Sequence, residues 1–184
     1  MAFEAPVMLY GDSMLARFTK PRVLQLEQAI GTHVLPAVLN CAVGGWDSAD
    51  GLRKAPYMAK VGAPVIVLSF GMNDCAPWRV LPTSVFSTNM VELREVFAGS
   101  HLIGFLPPSV SENPGADPNR RINSVLDEYR EIMRRVIGSK YCLDVNGILE
   151  GSAFAPLEVD GVHLSDESYS KVIPHLAHLV KDGL

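Results

Sequence analysis

The chain has few cysteines, and no two of them have metal-binding spacing. Its three cysteines, Cys41, Cys75 and Cys142, are an odd number, and no CxxC pair occurs. A framework of structural disulfides needs paired cysteines, and a structural zinc site needs clustered ligands. The sequence therefore predicts free thiols, with neither a disulfide framework nor a structural metal site.

Long apolar runs and an excess of basic charge are also absent. No apolar stretch reaches the roughly 18 residues that a membrane helix needs, and residues 1–4 lack the basic start of a secretory signal. The net charge of −4 does not favour nucleic-acid binding. We expect a cytoplasmic protein without a membrane span that acts on a small molecule, and the sequence leaves a homo-oligomer open.

Motifs of two common α/β classes are missing as well. Neither a GxGxxG sequence nor a P-loop follows any strand-like segment, which argues against a nucleotide site. The G-x-S-x-G turn of the α/β-hydrolases would need a glycine where Leu15 stands.

Strand-like and helix-like segments alternate along a length of 184 residues, which suits a single domain over 1–184. Short connections between them predict a parallel sheet covered on both faces. We therefore expect a three-layer α/β/α sandwich with a flavodoxin-like five-stranded sheet in the order 2-1-3-4-5. The predicted strands are 6–10, 38–40, 64–70, 101–106 and 141–145, and the predicted helices are 22–30, 48–60, 83–97, 117–137 and one that begins after Ser165.

The fourth of these helices has the clearest pattern. Asp117 as N-cap and Pro118 in the first turn favour its start, and Gly138 favours its end. The residues at the 3.6-residue period are Ile122, Val125, Leu126, Tyr129, Ile132, Met133, Val136 and Ile137. The preceding loop, 107–118, is either a lid over the site or a surface connection.

Polar motifs come where predicted strands end. Gly11-Asp12-Ser13 follows the first strand, and Asn73 with Asp74 follows the third. Asp160 and His163, three residues apart, come shortly before the last helix. Because active sites in parallel sheets lie at the carboxyl ends of the strands, we expect these motifs to meet there.

Together these residue types are the parts of a nucleophilic hydrolase. Ser13 supplies a hydroxyl, His163 a base that changes charge near neutral pH, and Asp160 a carboxylate that holds the base. The Ser13 N–H, a glycine N–H from the loop after the second strand and the Asn73 amide are candidate oxyanion donors.

At this point the chain resembles the SGNH hydrolases, also called GDSL esterases and lipases. The matching blocks are Gly11-Asp12-Ser13, the segment 40–45, Gly71-Met72-Asn73-Asp74 and Asp160-Gly161-Val162-His163. The resemblance implies a serine esterase with a Ser13–His163–Asp160 triad, an oxyanion hole of Ser13, Gly45 and Asn73, and no metal or organic cofactor. Gly45 is chosen over Gly44 from the family's spacing.

The resemblance does not fix the substrate. Family members act on acetylated sugars, aryl esters, lysophospholipids and thioesters, and some transfer acyl groups. We expect hydrolysis of a small acyl ester, with a lysophospholipase, thioesterase or acyltransferase as the alternative. The candidate pocket residues are Met14, Trp46, Met72, Trp78, Arg79 and Val162.

Two alternatives outside the enzyme class keep the same fold. A flavodoxin-like domain would bind a nucleotide or flavin, but Asp12 would repel a phosphate in the first loop. A phosphoacceptor domain is suggested by Asp12 and Asp74 at two strand ends, although Lys140 stands at the beginning of the fifth strand and not at its end.

Overall fold

Five parallel strands form one sheet in the computed structural model, which describes residues 7–31, 38–112 and 120–184. The strands are β1 (Val7–Gly11), β2 (Val38–Asn40), β3 (Val65–Ser69), β4 (His101–Phe105) and β5 (Cys142–Leu143). Their spatial order, β2-β1-β3-β4-β5, confirms the predicted 2-1-3-4-5 order. Pro6 of the predicted first strand is outside the described residues.

Helices cover both faces of this sheet. They are α1 (Ser13–Ala16), α2 (Lys20–Ile30), α3 (Ser48–Met58), α4 (Thr83–Val96), α5 (Asn123–Ile137), α6 (Val145–Leu149) and α7 (Asp166–Gly183), with 3-10 turns at Ala59–Val61 and Ser139–Tyr141. Helix α2 packs against α7, and α3, α4 and α5 pack in a row. This is the expected three-layer sandwich. The sequence did not predict α1 and α6, because helices of four and five residues are too short to show a period.

Strands β1 and β3 lie in the middle of the core. Every residue of both strands is buried, which explains why their sequences are apolar runs without alternation. The Tyr10 ring packs edge-on against Trp46, Phe70 and Phe97, with ring centroids 6.0, 6.1 and 5.6 Å away. Its hydroxyl donates to the Gly51 carbonyl oxygen at 2.5 Å, so the end of β1 is tied to α3.

Helix α5 begins at Asn123. The predicted start at Asp117 and Pro118 lies outside the described residues. The Asn123 side-chain oxygen accepts the Val110 N–H at 2.8 Å, and its amide donates to the Val110 carbonyl oxygen at 2.9 Å. These two hydrogen bonds to the preceding loop fix where the helix begins.

The apolar stripe of α5 is shorter than its sequence pattern. Ile122 precedes the helix and is 55% exposed, and Val125 in its first turn is 37% exposed. Both residues keep the 3.6-residue period of the sequence, but they lie at the exposed start of the helix. The buried members are Leu126, Tyr129, Ile132, Met133 and Val136.

Within the three described ranges, no helix combines the length and the apolar content that crossing a bilayer requires.

Strands β1 and β3 approach each other closely where they end. Gly11 is aligned with Ser69, and a Cβ atom at position 11 would lie 2.2 Å from the Ser69 carbonyl oxygen. That separation is far inside van der Waals contact, so the pairing requires glycine. The Asp12 N–H donates to the same carbonyl oxygen at 3.0 Å.

We predict that Gly11→Ala lowers the free energy of unfolding by about 1–3 kcal/mol, the usual cost of overpacking. Urea unfolding followed by circular dichroism measures it. Gly99→Ala is the matched control, because a Cβ atom there meets nothing within 4 Å. Equal unfolding midpoints for the two variants would contradict the prediction.

Candidate active site

Ser13 begins α1 directly after β1 ends. Asp12 caps this short helix, since its Oδ1 atom accepts the Met14 N–H at 3.0 Å. Asn40, at the end of β2, holds the other end of the turn by donating to the Leu15 and Phe18 carbonyl oxygens at 2.9 and 3.1 Å. The turn therefore holds Ser13 at the carboxyl edge of the sheet.

His163 and Asp160 reach Ser13 from the far end of the chain. His163 Nε2 is 2.9 Å from Ser13 Oγ, and His163 Nδ1 is 2.5 Å from Asp160 Oδ2. A carboxylate at Nδ1 favours the tautomer in which Nδ1 carries the proton and Nε2 accepts one from the serine. The three side chains thus form a continuous chain of contacts suited to proton transfer.

The three-residue spacing of Asp160 and His163 works because the segment between them is a tight turn. Asp160 Oδ1 accepts the N–H groups of Val162 and His163, both at 2.9 Å, which leaves Oδ2 for the ring. Burial alone would raise the pKa of Asp160. The hydrogen bonds from the His163 ring and from these N–H groups outweigh burial and lower the pKa to about 2. Asp160 is therefore ionised at neutral pH.

Helix α7 anchors this turn to the serine turn. Ser165 caps α7 by accepting the Ser168 N–H at 3.2 Å, as predicted from the sequence. The Tyr169 hydroxyl donates to the Met14 carbonyl oxygen at 2.7 Å. Two segments that are 150 residues apart are thereby tied to each other.

A cavity of about 470 Å³ opens beside Ser13. Its lining includes all three expected oxyanion positions, Ser13, Gly45 and Asn73, and also Gly44. The lining residues are Ser13, Ala16, Arg17, Gly44, Gly45, Met72, Asn73, Arg121, Val162 and His163.

Both glycines of the second loop remain candidate donors. Gly45 has φ +83°, a backbone conformation that favours glycine. Gly44 lies beside Ser13, because a Cβ atom there would be 3.9 Å from the Ser13 Cβ atom. In the described part of the chain neither N–H donates a backbone hydrogen bond. The choice between them stays with the sequence prediction of Gly45.

The orientation of the Asn73 amide is set by contacts on both sides. Its Nδ2 atom donates to the Trp46 carbonyl oxygen at 2.8 Å, and its Oδ1 atom accepts from Arg121 Nη2 at 3.3 Å. These partners distinguish the amide nitrogen from the oxygen. Because the nitrogen carries two protons, one N–H donates to the Trp46 carbonyl oxygen and the second can donate to a bound group.

The predicted pocket residues divide into those at the cavity and those away from it. Met72 and Val162 line it. Trp46 contributes a carbonyl oxygen to Asn73 while its ring packs on Tyr10. Trp78 is 61% exposed and outside the lining.

Met14 and Arg79 require correction as pocket residues. Met14 is fully buried, because α1 turns its side chain into the core. Arg79 bonds to Asp47 and, at 3.1 Å, to Asp50, so its charge is matched at the start of α3.

Two arginines of the cavity were missed by the sequence analysis. Arg17 follows Ser13 by four residues, but α1, the short helix that places both at the cavity, was not predicted from the sequence. Its guanidinium lies 2.6 Å from Glu158 and 3.9 Å from Asp160. Arg121 fell within a predicted helix, so no pattern marked it as a site residue.

The carboxylates that suggested a phosphoacceptor are in the wrong place for that role. Asp12 and Asp74 are both fully buried. Asp74 accepts the Ser48 N–H at 2.9 Å and the Gly71 N–H at 2.8 Å, so it joins the loop after β3 to α3. These contacts argue against the phosphoacceptor alternative.

For the loop 107–118, the lid prediction falls partly on residues outside the described ranges.

Glu158, Asp160 and His163 are the described cluster closest to a metal-ligand set, with ligand atoms within 4.8 Å of one another. Each already has a partner of opposite charge or a hydrogen-bond partner: Arg17 contacts Glu158, and His163 contacts Asp160. The contacts fit an ion-pair network at the cavity rim better than a metal site.

Residues 9–171 match the GDSL-like lipase/acylhydrolase family. Among solved structures, a lipase/acylhydrolase from Enterococcus faecalis is similar, with a TM-score of 0.83, 20% identity and coverage of 96% of this chain and 95% of that chain. A carbohydrate acetylesterase from Sinorhizobium meliloti has a TM-score of 0.74 at 12% identity, with coverage of 98% and 100%. An inhibitor-bound aryl esterase from M. smegmatis has a TM-score of 0.73 at 15% identity, with coverage of 97% and 99%. The chain has no significant match among curated protein sequences.

Asp12 is buried beneath the serine turn with one oxygen bonded and the other not. Oδ1 contacts the Met14 N–H and the Ser69 hydroxyl, whereas Oδ2 has no hydrogen-bond partner within the described residues. Burial, which outweighs these hydrogen bonds, raises the pKa of Asp12 to about 7. Between about pH 4 and pH 7, the folded protein therefore holds a proton here that the unfolded chain, whose carboxyl pKa is about 4, releases.

We predict that the free energy of unfolding of Asp12→Asn rises relative to that of the wild type as pH rises. Wild-type stability from this group is fully present below about pH 4 and is lost as pH rises toward 7, because ionisation in the folded state is costly. An asparagine cannot ionise, so the variant lacks this loss. Urea unfolding at half-unit steps from pH 4 to 8.5 measures the difference in unfolding free energy.

Glu92→Gln, which removes an exposed carboxylate on α4, controls for the loss of one negative charge. A difference between Asp12→Asn and wild type that stays constant across this range would contradict the prediction.

Proposed function

Since the chain belongs to the GDSL-like lipase/acylhydrolase family, a family of carboxylic ester hydrolases, we propose that it hydrolyses a small acyl ester through Ser13, His163 and Asp160. The observation that carries the proposal is the unbroken contact chain from Ser13 Oγ through the His163 ring to Asp160 Oδ2, at 2.9 and 2.5 Å. Nucleophile, base and orienting carboxylate are thus all within hydrogen-bond reach.

The reaction takes two steps. Ser13 Oγ attacks the ester carbonyl carbon as its proton passes to His163 Nε2, and the tetrahedral intermediate collapses when His163 returns that proton to the leaving alcohol. Water then attacks the acyl-enzyme, with His163 as base, and releases the carboxylic acid and free Ser13. Ionised Asp160 stabilises the imidazolium that forms in each step.

The developing oxyanion accepts hydrogen bonds from groups that follow three strand ends. They are the Ser13 N–H, the Gly45 N–H and the second N–H of the Asn73 amide. All three residues line the same cavity, and the Asn73 amide is already held by Trp46 and Arg121. Donors fixed before the reaction stabilise the transition state without reorganisation.

A short acyl group fits the space beside Ser13 best. The cavity of about 470 Å³ lies at the small end of ligand sites, which run from roughly 300 to 1,000 Å³. It must hold the alcohol as well as the acyl group. Similar structures include a carbohydrate acetylesterase, so an acetyl ester of a carbohydrate or small alcohol is the proposed substrate class. Lysophospholipase, thioesterase and acyltransferase activities are the alternatives.

Three further predictions accompany this proposal. We expect residues 1–184 to act as a single catalytic domain, the protein to be cytoplasmic, and its substrate to be a small molecule bound without a cofactor. Its oligomeric state is left open.

We predict that a fluorophosphonate inactivates the protein by bonding to Ser13 Oγ with loss of fluoride. Cleavage of p-nitrophenyl acetate should then stop, and peptide mass spectrometry should locate the added mass at Ser13. Ser13→Ala should be unlabelled and should lose activity by about 10³-fold or more.

Ser84→Ala is the matched control, because Ser84 lies in α4 and outside the cavity lining. Labelling of a residue other than Ser13, or full activity in Ser13→Ala, would refute the proposed function.

We also predict that kcat/KM is highest for p-nitrophenyl acetate to butyrate and falls by about tenfold or more by decanoate. The reason is that a longer chain must leave the cavity and gains no further burial. A series of esters from two to twelve carbons measures it. A rate that rises up to twelve carbons would favour the lysophospholipase alternative over the small acyl ester.

A further inference from the structure

Arg121 is a buried arginine at the edge of the cavity. Its residue is only 7% exposed, and its Nε atom donates to the Met72 carbonyl oxygen at 2.7 Å. Its Nη2 atom donates to Asn73 Oδ1 at 3.3 Å. The Trp78 ring covers the guanidinium, with 4.8 Å from the central carbon to the ring centroid.

These contacts converge on one short segment, the loop that follows β3. Arg121 binds the main chain at Met72, the side chain of Asn73 and the ring of Trp78, and all three follow β3 within nine residues. Burying a cation costs free energy, and this cost is offset only by contacts with good geometry. A buried guanidinium that joins these three residues restricts the loop at the place where the amide must point correctly.

The bond to Asn73 Oδ1 has two consequences for the amide. It prevents the amide from flipping, because a reversed amide would set its NH₂ group against the cation and its oxygen against the Trp46 carbonyl. It also polarises the amide, since a charged donor on the oxygen strengthens the N–H groups as donors. Both consequences favour oxyanion binding at the second Asn73 N–H.

We propose that Arg121 is a positioning residue for the reaction, which orients and polarises Asn73 as an oxyanion donor. The proposal rests on the proposed function, in which Asn73 binds the oxyanion. Arg121 acts through Asn73, and its effect therefore depends on that side chain being present.

A double-mutant cycle tests this dependence. Wild type, Arg121→Met, Asn73→Ala and the double variant are compared by kcat and KM on p-nitrophenyl acetate. Methionine keeps the length and apolar volume of the arginine stem. We expect Asn73→Ala to lower kcat by about 10²–10³-fold and Arg121→Met to lower it by about tenfold, with KM little changed.

In the Asn73→Ala background, Arg121→Met should change kcat by less than about twofold, because no amide is left to orient. Arg121→Lys should give an intermediate kcat, since it keeps the charge but not the forked donors. If Arg121→Met does not fold, the lysine variant takes its place in the cycle. Thermal unfolding of each variant reports whether it is folded.

Arg130→Met is the matched control. Arg130 is also buried and donates from Nε to a main-chain carbonyl, that of Pro107, at 2.8 Å, but its other side-chain hydrogen bonds go to Asp127 and Ser109 and not to Asn73. It should lower stability and leave kcat within about twofold of wild type.

The outcomes separate the two proposals. If Asn73→Ala lowers kcat and an Arg121 variant lowers it equally in both backgrounds, the positioning role is refuted and the proposed function stands. An unchanged kcat in a folded Arg121→Met protein refutes the positioning role as well. If Asn73→Ala itself has no effect on kcat, the oxyanion assignment of the proposed function fails.

Discussion

The pairing of β1 with β3 is the contact on which the rest of the site depends. Gly11 is aligned with Ser69 at such close range that a Cβ atom would overlap the carbonyl oxygen. Both strands therefore leave the sheet at the same level, with Ser13 two residues beyond one end and Asn73 four beyond the other. The Val43 N–H donates to the Gly11 carbonyl oxygen at 2.9 Å, which brings the loop of Gly44 and Gly45 to the same edge.

Asp160 and His163, the proposed orienting acid and base, are brought to this edge by different contacts. Asp160 and His163 belong to no strand, and their relative geometry is local because one carboxylate oxygen accepts two N–H groups of its own turn. Their distance to the serine is set by α7, whose Tyr169 hydroxyl binds the Met14 carbonyl oxygen. The sheet edge thus carries Ser13 and the proposed donors, and one packed helix brings His163 and Asp160 to them.

The sequence was sufficient for the strand order and for the positions of the four motif blocks, because continuous apolar strands and short connections admit few parallel topologies. It was insufficient where side-chain direction depends on tertiary contacts. Met14 follows Ser13 yet turns into the core, and Arg79 follows a motif loop yet pairs with Asp47 and Asp50. Arg121 is distant from every motif in the sequence, and only the packing of its loop against the segment after β3 brings it to the cavity.

The site contains two kinds of residue, those in the motifs and those that hold the motif residues in place. The motif residues present the atoms suited to react, but the geometry of those atoms is held by groups outside the motifs: the Trp46 carbonyl and Arg121 at Asn73, and Tyr169 at the serine turn. Motif matching therefore identifies the chemistry more readily than it identifies how well the donors are oriented. Because a buried charge such as Arg121 destabilises the fold unless its contacts are well formed, its presence beside the candidate oxyanion donor is better explained by a need for orientation than by a need for stability.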